Sequence, residues 1–231
     1  MSVRGALTPL LSADDIAIPD RAADGSVTLS KVVGPLGIEL RQHSTAENIR
    51  SAVGEETWNR YFKFSFVRHP IDRLVSLFEF LERVRQTHEP ALGGGNKRFP
   101  LRQSNLPTGY PDQPPWNWLA MRALLTTDSF SDFIRSEFLD QAQDARPQMH
   151  SLADKTGQLI VDFVGKVEHL AVDWGKVCER IGGQASLLRE NESQRRFSEI
   201  GDYLQGNDLD FLAQKYRCDF ESFSYSPDEF F

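Results

Sequence analysis

The chain has 231 residues, enough for one well-cored domain over 1–231 and too few for two. Its 26 Lys and Arg against 33 Asp and Glu leave a net charge of −7. That charge excludes broad nucleic-acid binding, which needs a basic footprint, and counts against a very highly charged polyanion as acceptor. Cys178 and Cys218 lie far apart in no CxxC or Cys/His spacing, so neither a metal site nor a disulfide framework is expected, and a reducing cytoplasm suits them. No run of about 18 apolar residues is present, so no membrane span is expected. The first residues also lack the basic-then-apolar layout of a signal peptide.

In chain order, residues 3–11 read as the tail of a short helix and 12–20 as a turn followed by a short strand. Residues 20–37 are polar and glycine-rich, hence loop, with one short strand at 27–29. Ser44 or Thr45 caps a helix over 46–53, with Glu47 placed as the capping-box acid. Phe62, Phe64 and Phe66 then alternate with Lys63 and Ser65, and Val67 closes a run that reads as a buried strand. Pro70 fits the first turn of a helix, where its missing N–H costs nothing. Ile71, Leu74, Val75, Phe78, Leu81 and Val84 follow at helical spacing and make one face apolar. A long insert over 87–115 holds three glycines at 93–95 and several prolines, and loops of that length are usually functional or mobile. Helices are predicted over 116–125 and 130–138, and a second buried strand over 158–164. A further helix over 170–181 stops at Gly182 and Gly183, and a last one covers 209–220. No internal repeat is visible. Strands separated by helices predict an α/β architecture with a mainly parallel sheet.

The turn between the strand at 62–67 and the helix from Pro70 carries Arg68. Backbone N–H groups and the positive end of a helix beside an arginine are the physical recipe for an anion site. Ser76, two turns into the helix, can add a hydroxyl. The residues alone leave an alternative open: an arginine at a strand end also serves as a surface ion-pair residue, and a helical serine is commonly only solvated.

Residues 61–81, YFKFSFVRHPIDRLVSLFEFL, resemble the FxFVRxPxxRLVSxY signature of the membrane-type and bacterial carbohydrate sulfotransferases. Phe78 stands where the signature usually has Tyr. Residues 162–168, DFVGKVE, resemble that family's DFVGRFExL segment, and the CERIG ending at Gly182 is also familiar. Residues 184–196, QASLLRENESQRR, resemble its loop of the form LNxSxHR, here with Asn191, Ser193, Arg195 and Arg196. Residues 216–227, YRCDFESFSYSP, resemble the YxxDFExFGYSP ending of bacterial members.

The resemblance implies an α/β fold of the P-loop NTPase-like sulfotransferase type, with a central, mainly parallel sheet flanked by helices. It implies 3′-phosphoadenosine 5′-phosphosulfate as co-substrate, with no metal. Arg68 and Ser76 would hold the 3′-phosphate, and Ser193 with Arg196 would complete that pocket. The acceptor would be a carbohydrate or glycoconjugate hydroxyl. Trp116, Trp118 and the insert over 87–115 are candidates for the acceptor side, although two tryptophans at a helix start also pack cores.

Sulfuryl transfer needs a fixed nucleotide, neutralisation of shifting charge, and a base for the acceptor proton. Histidine suits the last task, and general-base assistance is typically worth ~10²–10⁴-fold. Five histidines compete. In related uronosyl sulfotransferases a histidine stands at the junction occupied here by His43, which makes His43 the candidate general base. Its other reading is a helix-start histidine with a local hydrogen bond. His69 adjoins Arg68, but the signature position it fills carries no catalytic duty in the family. His88, His150 and His169 read as surface residues. A histidine phosphatase of the RHG type is rejected because Pro70 follows His69 where Gly is required.

The resemblance implies one further part: a strand and a PKxxGTS-type loop that grips the 5′-phosphosulfate through its lysine and a nest of N–H groups. The chain begins MSVRGALTPLL, like the helix after such a loop, so Ser2 is the expected last hydroxyl of that loop. Either the true start lies upstream of Met1, where the strand and lysine are then expected, or the chain is a genuine short form that lacks both. A chain without that strand is expected to expose sheet edge and apolar surface, with low stability and little activity. The rival class is therefore a non-catalytic nucleotide-binding or scaffold domain on the same fold. A nucleotide kinase is disfavoured, since no acidic Mg²⁺ ligand closes a strand in the expected place.

Overall fold

The computed structural model describes residues 7, 31–41, 43–88, 118–183, 187, 196–197 and 199–229. The chain groups into two compact units, one of Met1–Arg68 with Gln148–Glu192, the other of His69–Pro147 with Ser193–Phe231.

In the first unit a hairpin pairs strand β1 (Lys31–Val33) antiparallel with β2 (Glu39–Arg41). The turn closes through the Gly34 N–H on the Ile38 carbonyl at 2.9 Å, and Gly37 supplies the positive φ of 77° that it needs. Helix α1 (Ala46–Val53) starts at Thr45, whose hydroxyl accepts the Asn48 N–H at 3.2 Å. With Thr45 as the cap, Glu47 falls one position short of the capping-box site and pairs with Arg50 instead. Gly54, at φ 83°, ends α1 and leads into α2 (Glu55–Arg60).

Strand β3 (Phe64–Val67) pairs parallel with β4 (Phe163–Lys166), Phe64 opposite Phe163 and Val67 opposite Lys166. Helix α8 (Leu170–Ile181) packs on this pair, and Gly182 stops it in the left-handed conformation expected of a C-terminal glycine. Trp174 and Val177 of α8 are buried against Phe62, Phe64, Phe66 and Phe163. The alternating phenylalanines of the sequence are thus the sheet face of this core. Gly165 lets the layers approach: a Cβ there would lie 2.5 Å from the Phe66 ring and 3.0 Å from the Asp173 Cβ.

The second strand begins later than the expected 158, and the reason is local. The Asp154 carboxylate accepts the Thr156 N–H at 2.8 Å and the Gln158 N–H at 3.1 Å, tying 154–158 into a turn. Leu159 makes only an isolated antiparallel bridge to Ala153, and the Asp162 N–H goes to the Lys63 carbonyl at 2.8 Å. Regular pairing therefore starts at Phe163.

The second unit is helical. Its axis is α3 (Pro70–His88), starting at Pro70 as expected, with Ile71, Leu74, Val75, Phe78 and Leu81 buried and Val84 half-buried. Against it pack α4 (Leu119–Leu125), α5 (Phe130–Ile134) and a 3₁₀ turn, Ile200–Tyr203. The helix expected over 130–138 is two: Arg135 ends α5, its guanidinium bonded to Asp208 and Asn207, and α6 (Glu137–Gln141) restarts beyond Ser136. The last helix likewise divides into α9 (Asp208–Lys215) and α10 (Arg217–Phe223) at Tyr216, a fully buried residue whose hydroxyl donates to the Ala145 carbonyl at 2.5 Å. The short helix α7 (Met149–Leu152) belongs to the first unit.

Among the described residues the molecule is thus a mixed helix and sheet protein with a small parallel sheet of β3 and β4 and an antiparallel hairpin. Both cysteines are free thiols. No described helix is long and apolar enough to cross a membrane.

Candidate functional site

Arg68 follows directly on β3 and is the last residue of the first unit's leading segment. Its backbone is held at both ends by one side chain. The Arg68 N–H donates to Gln148 Oε1 at 2.9 Å, and Gln148 Nε2 donates to the Arg68 carbonyl at 2.7 Å. The Gln148 amide thus stands in for a peptide of a neighbouring strand and fixes the backbone where the ladder ends. Ligands of open α/β sheets bind outside the carboxyl ends of parallel strands, the end where Arg68 lies.

On the same unit Asp173 ties β4 to α8. Burial pushes its carboxyl up, but the Lys166 N–H at 2.9 Å and the Lys176 ammonium at 2.6 Å outweigh burial and leave it below the ordinary carboxylate value. Lys63 is likewise committed: its ammonium meets Asp162 at 2.9 Å and lies over the Trp58 ring.

His43 is exposed, stands two residues before the α1 cap, and takes a positive φ of 68°. Non-glycine residues rarely adopt that conformation, and histidine is among those that do so more often. His43 also takes part in an interaction within the fold. His150 and His169 are exposed, as expected of surface residues. His88 has no described side chain.

In the second unit Ser76 lies half-buried on α3. His69 is fully buried, its Nε2–H donating to the Ser226 carbonyl at 2.9 Å and its ring lying edge-on to Phe220 and Tyr225. It anchors the C-terminal segment. Arg73 of the same signature is structural too. Its guanidinium donates to the carbonyls of Asp144 at 2.5 Å and Arg146 at 2.7 Å, while Tyr216 takes the carbonyl between them. Burial lowers the Arg73 pKa and raises that of Tyr216.

Arg196 lies against α3. Its guanidinium is 3.6 Å from the Glu82 carboxylate and sits over the Phe78 ring at 6.0 Å. Its backbone N–H donates to the Tyr203 hydroxyl at 3.0 Å, as does that of Phe197 at 3.2 Å. That hydroxyl donates in turn to Glu79 Oε1 at 2.8 Å. The Tyr203 phenol is pushed above its ordinary value by burial and by the Glu79 carboxylate. Ser76 and Arg196 therefore share one helix as their support, while Arg68 belongs to the other unit.

Ser2, Ser193, Asn191, Arg195 and Trp116 lie outside the described residues, as do the elements expected at 3–30, apart from Leu7, and the bulk of the insert. Trp118 is half-buried and stacks on Phe80 at 6.4 Å, the packing role open to it from the start. Sequence reasoning missed Gln148, for which no signal exists in a loop glutamine. It also missed Glu79 and Glu82, which did leave one: both fall on the apolar stripe of α3 with Val75 and Phe78, where an acid needs a buried partner. Among the described residues no cluster of His, Cys, Asp and Glu is arranged to hold a metal ion.

A family model described as "Sulfotransferase family" matches residues 39–226. No curated protein and no solved structure matches the chain.

Proposed function

Because the chain belongs to the sulfotransferase family, a family of enzymes that transfer sulfuryl groups, we propose that it sulfates a carbohydrate-type hydroxyl from 3′-phosphoadenosine 5′-phosphosulfate. In this reading it is one P-loop-like domain acting in the cytoplasm, where its free thiols fit. The sulfur–oxygen bond to the donor's phosphate breaks, a new one to the acceptor oxygen forms, and the acceptor proton passes to His43. Adenosine 3′,5′-bisphosphate leaves.

Each residue has one task. Arg68 and Ser76, with Ser193 and Arg196, neutralise and orient the 3′-phosphate, and Ser2 belongs to the 5′-phosphosulfate side. His43, exposed at the start of α1, accepts the proton.

The observation that carries the reading is the amide clamp on Arg68. A residue serving only as a surface ion pair needs no fixed backbone, whereas a phosphate ligand gains from preorganisation. The test is calorimetric binding of 3′-phosphoadenosine 5′-phosphate to the chain and to Arg68→Ala. Loss of a charge-assisted contact is expected to weaken binding about tenfold to a hundredfold. A folded chain that binds no nucleotide would overturn the reading and favour a scaffold domain.

A further inference from the structure

Helix α3 carries Glu79 and Glu82 on its apolar stripe, each only 6% exposed. A carboxylate in such a place survives only with good partners. Glu82 has two cations: Arg85, which reaches Oε2 through two nitrogens at 2.8 and 3.0 Å, and the more distant Arg196. Glu79 receives the hydroxyl of Tyr203.

The Tyr203 hydroxyl is fully used. It has one proton to give and two lone pairs, and it gives the proton to Glu79 and accepts the N–H groups of Arg196 and Phe197. Two successive N–H groups converging on one oxygen form a small nest, the arrangement that elsewhere grips anions. Here a hydroxyl fills it, and its lean on a carboxylate makes the oxygen a better acceptor. Packing explains the ring, which contacts Phe130 at 5.8 Å and Phe197 at 5.0 Å. A phenylalanine would pack the same way, so packing does not explain the hydroxyl.

What the hydroxyl does is fix the main chain at 196–197. Arg196 is then aimed without its guanidinium being used as the anchor. The one acid that guanidinium meets among the described residues, Glu82, is 3.6 Å away and already neutralised by Arg85. A contact that loose is easily exchanged for a phosphate oxygen.

We propose that Tyr203, oriented by Glu79, is a positioning residue that presents Arg196 to the 3′-phosphate of the nucleotide. It acts through Arg196 and touches no ligand itself. The proposal rests on the nucleotide reading above, so its test must separate the two.

The test compares 3′-phosphoadenosine 5′-phosphate with adenosine 5′-monophosphate, which lacks the 3′-phosphate, by calorimetry on the wild-type chain, Tyr203→Phe, Glu79→Gln, Arg196→Ala and the Tyr203→Phe/Arg196→Ala pair. Tyr203→Phe is expected to weaken the bisphosphate about threefold to tenfold, the size of a hydrogen-bond loss, and the monophosphate less than about twofold. In the Arg196→Ala background the same change is expected to do nothing to the preference. Glu79→Gln keeps an acceptor oxygen and is expected to retain the preference. Should Tyr203→Phe fail to fold, Glu79→Leu removes the phenol's acceptor while leaving the ring in place, and the same loss of preference is expected.

Equal weakening of both ligands would mean a merely structural tyrosine and overturn the proposal, as would an unchanged preference in a folded variant. A wild-type chain with no preference for the 3′-phosphate would instead bring down the nucleotide reading, and the proposal with it.

Discussion

Replacing Gln148 by alanine removes two hydrogen bonds from one residue, since Oε1 accepts the Arg68 N–H at 2.9 Å and Nε2 donates to its carbonyl at 2.7 Å. Both bonds are part-buried, and a net value of about 1 kcal/mol each sets the loss at roughly 2 kcal/mol. Water reaching the opened backbone lowers the figure, and any residual burial of the N–H raises it. Gln148→Glu sharpens the test. It keeps the acceptor for the N–H but sets a carboxylate oxygen against the Arg68 carbonyl, where a donor is needed. It also adds a negative charge at the strand end where a phosphate is expected to bind. Urea unfolding at neutral pH should therefore show a similar stability loss for both variants. Calorimetry with 3′-phosphoadenosine 5′-phosphate should show the Glu variant binding more weakly than the Ala variant. If both variants unfold within about 0.5 kcal/mol of the wild type, the amide is not holding the backbone, and the argument that Arg68 is preorganised fails.

Gly165→Ala places a methyl group 2.5 Å from the Phe66 ring and 3.0 Å from the Asp173 Cβ, so the ring must leave its contact with Trp174. A loss of about 1–3 kcal/mol is expected in urea unfolding, and a stability equal to wild type would show that Phe66 is not locked. His43→Gly relieves the positive φ of 68° and is expected to stabilise the chain by about 1 kcal/mol while lowering sulfate transfer to an accepted glycan ~10²–10⁴-fold. Undiminished turnover would remove His43 from the mechanism.

The sequence makes legible those parts whose cause is local. Pro70 sets the start of α3, Thr45 the start of α1 and Gly182 the end of α8, because each is a one-residue backbone preference. The phenylalanine alternation is legible for the same reason, as a period-two pattern that packs on Trp174 and Val177, although the phenylalanines are half-buried rather than buried and the one buried residue of the strand, Val67, lies on the other face. The late start of β4 is not, since the Asp154 turn competes for a stretch, QLIVDFV, that reads as strand throughout. The breaks at Arg135 and Tyr216 are tertiary: each residue bonds a partner more than seventy positions away, Asp208 for one and the Ala145 carbonyl for the other. The site divides along the same line. Arg68 and Ser76 stand out through a resemblance carried by contiguous residues, whereas Gln148 and Tyr203 are brought to their arginines only by folding.

Arg73, Arg68 and Arg196 differ in what is seen to hold them, and that difference orders the roles proposed for them. Arg73 spends its guanidinium on the carbonyls of Asp144 and Arg146, so its charge is bound to the fold and cannot be turned to a ligand without unpinning that loop. Arg68 and Arg196 are held through their main chains as well, by the Gln148 amide in one unit and the Tyr203 hydroxyl in the other. Anchoring by the backbone costs no side-chain donor and no charge. On the proposed reading, a residue that takes up phosphate would gain from such an anchor, because every hydrogen bond its side chain makes to the protein must be broken or shared when the anion arrives. The same logic ranks substitutions: changes at Arg73 should act on stability, and changes at Arg68 and Arg196 on the nucleotide.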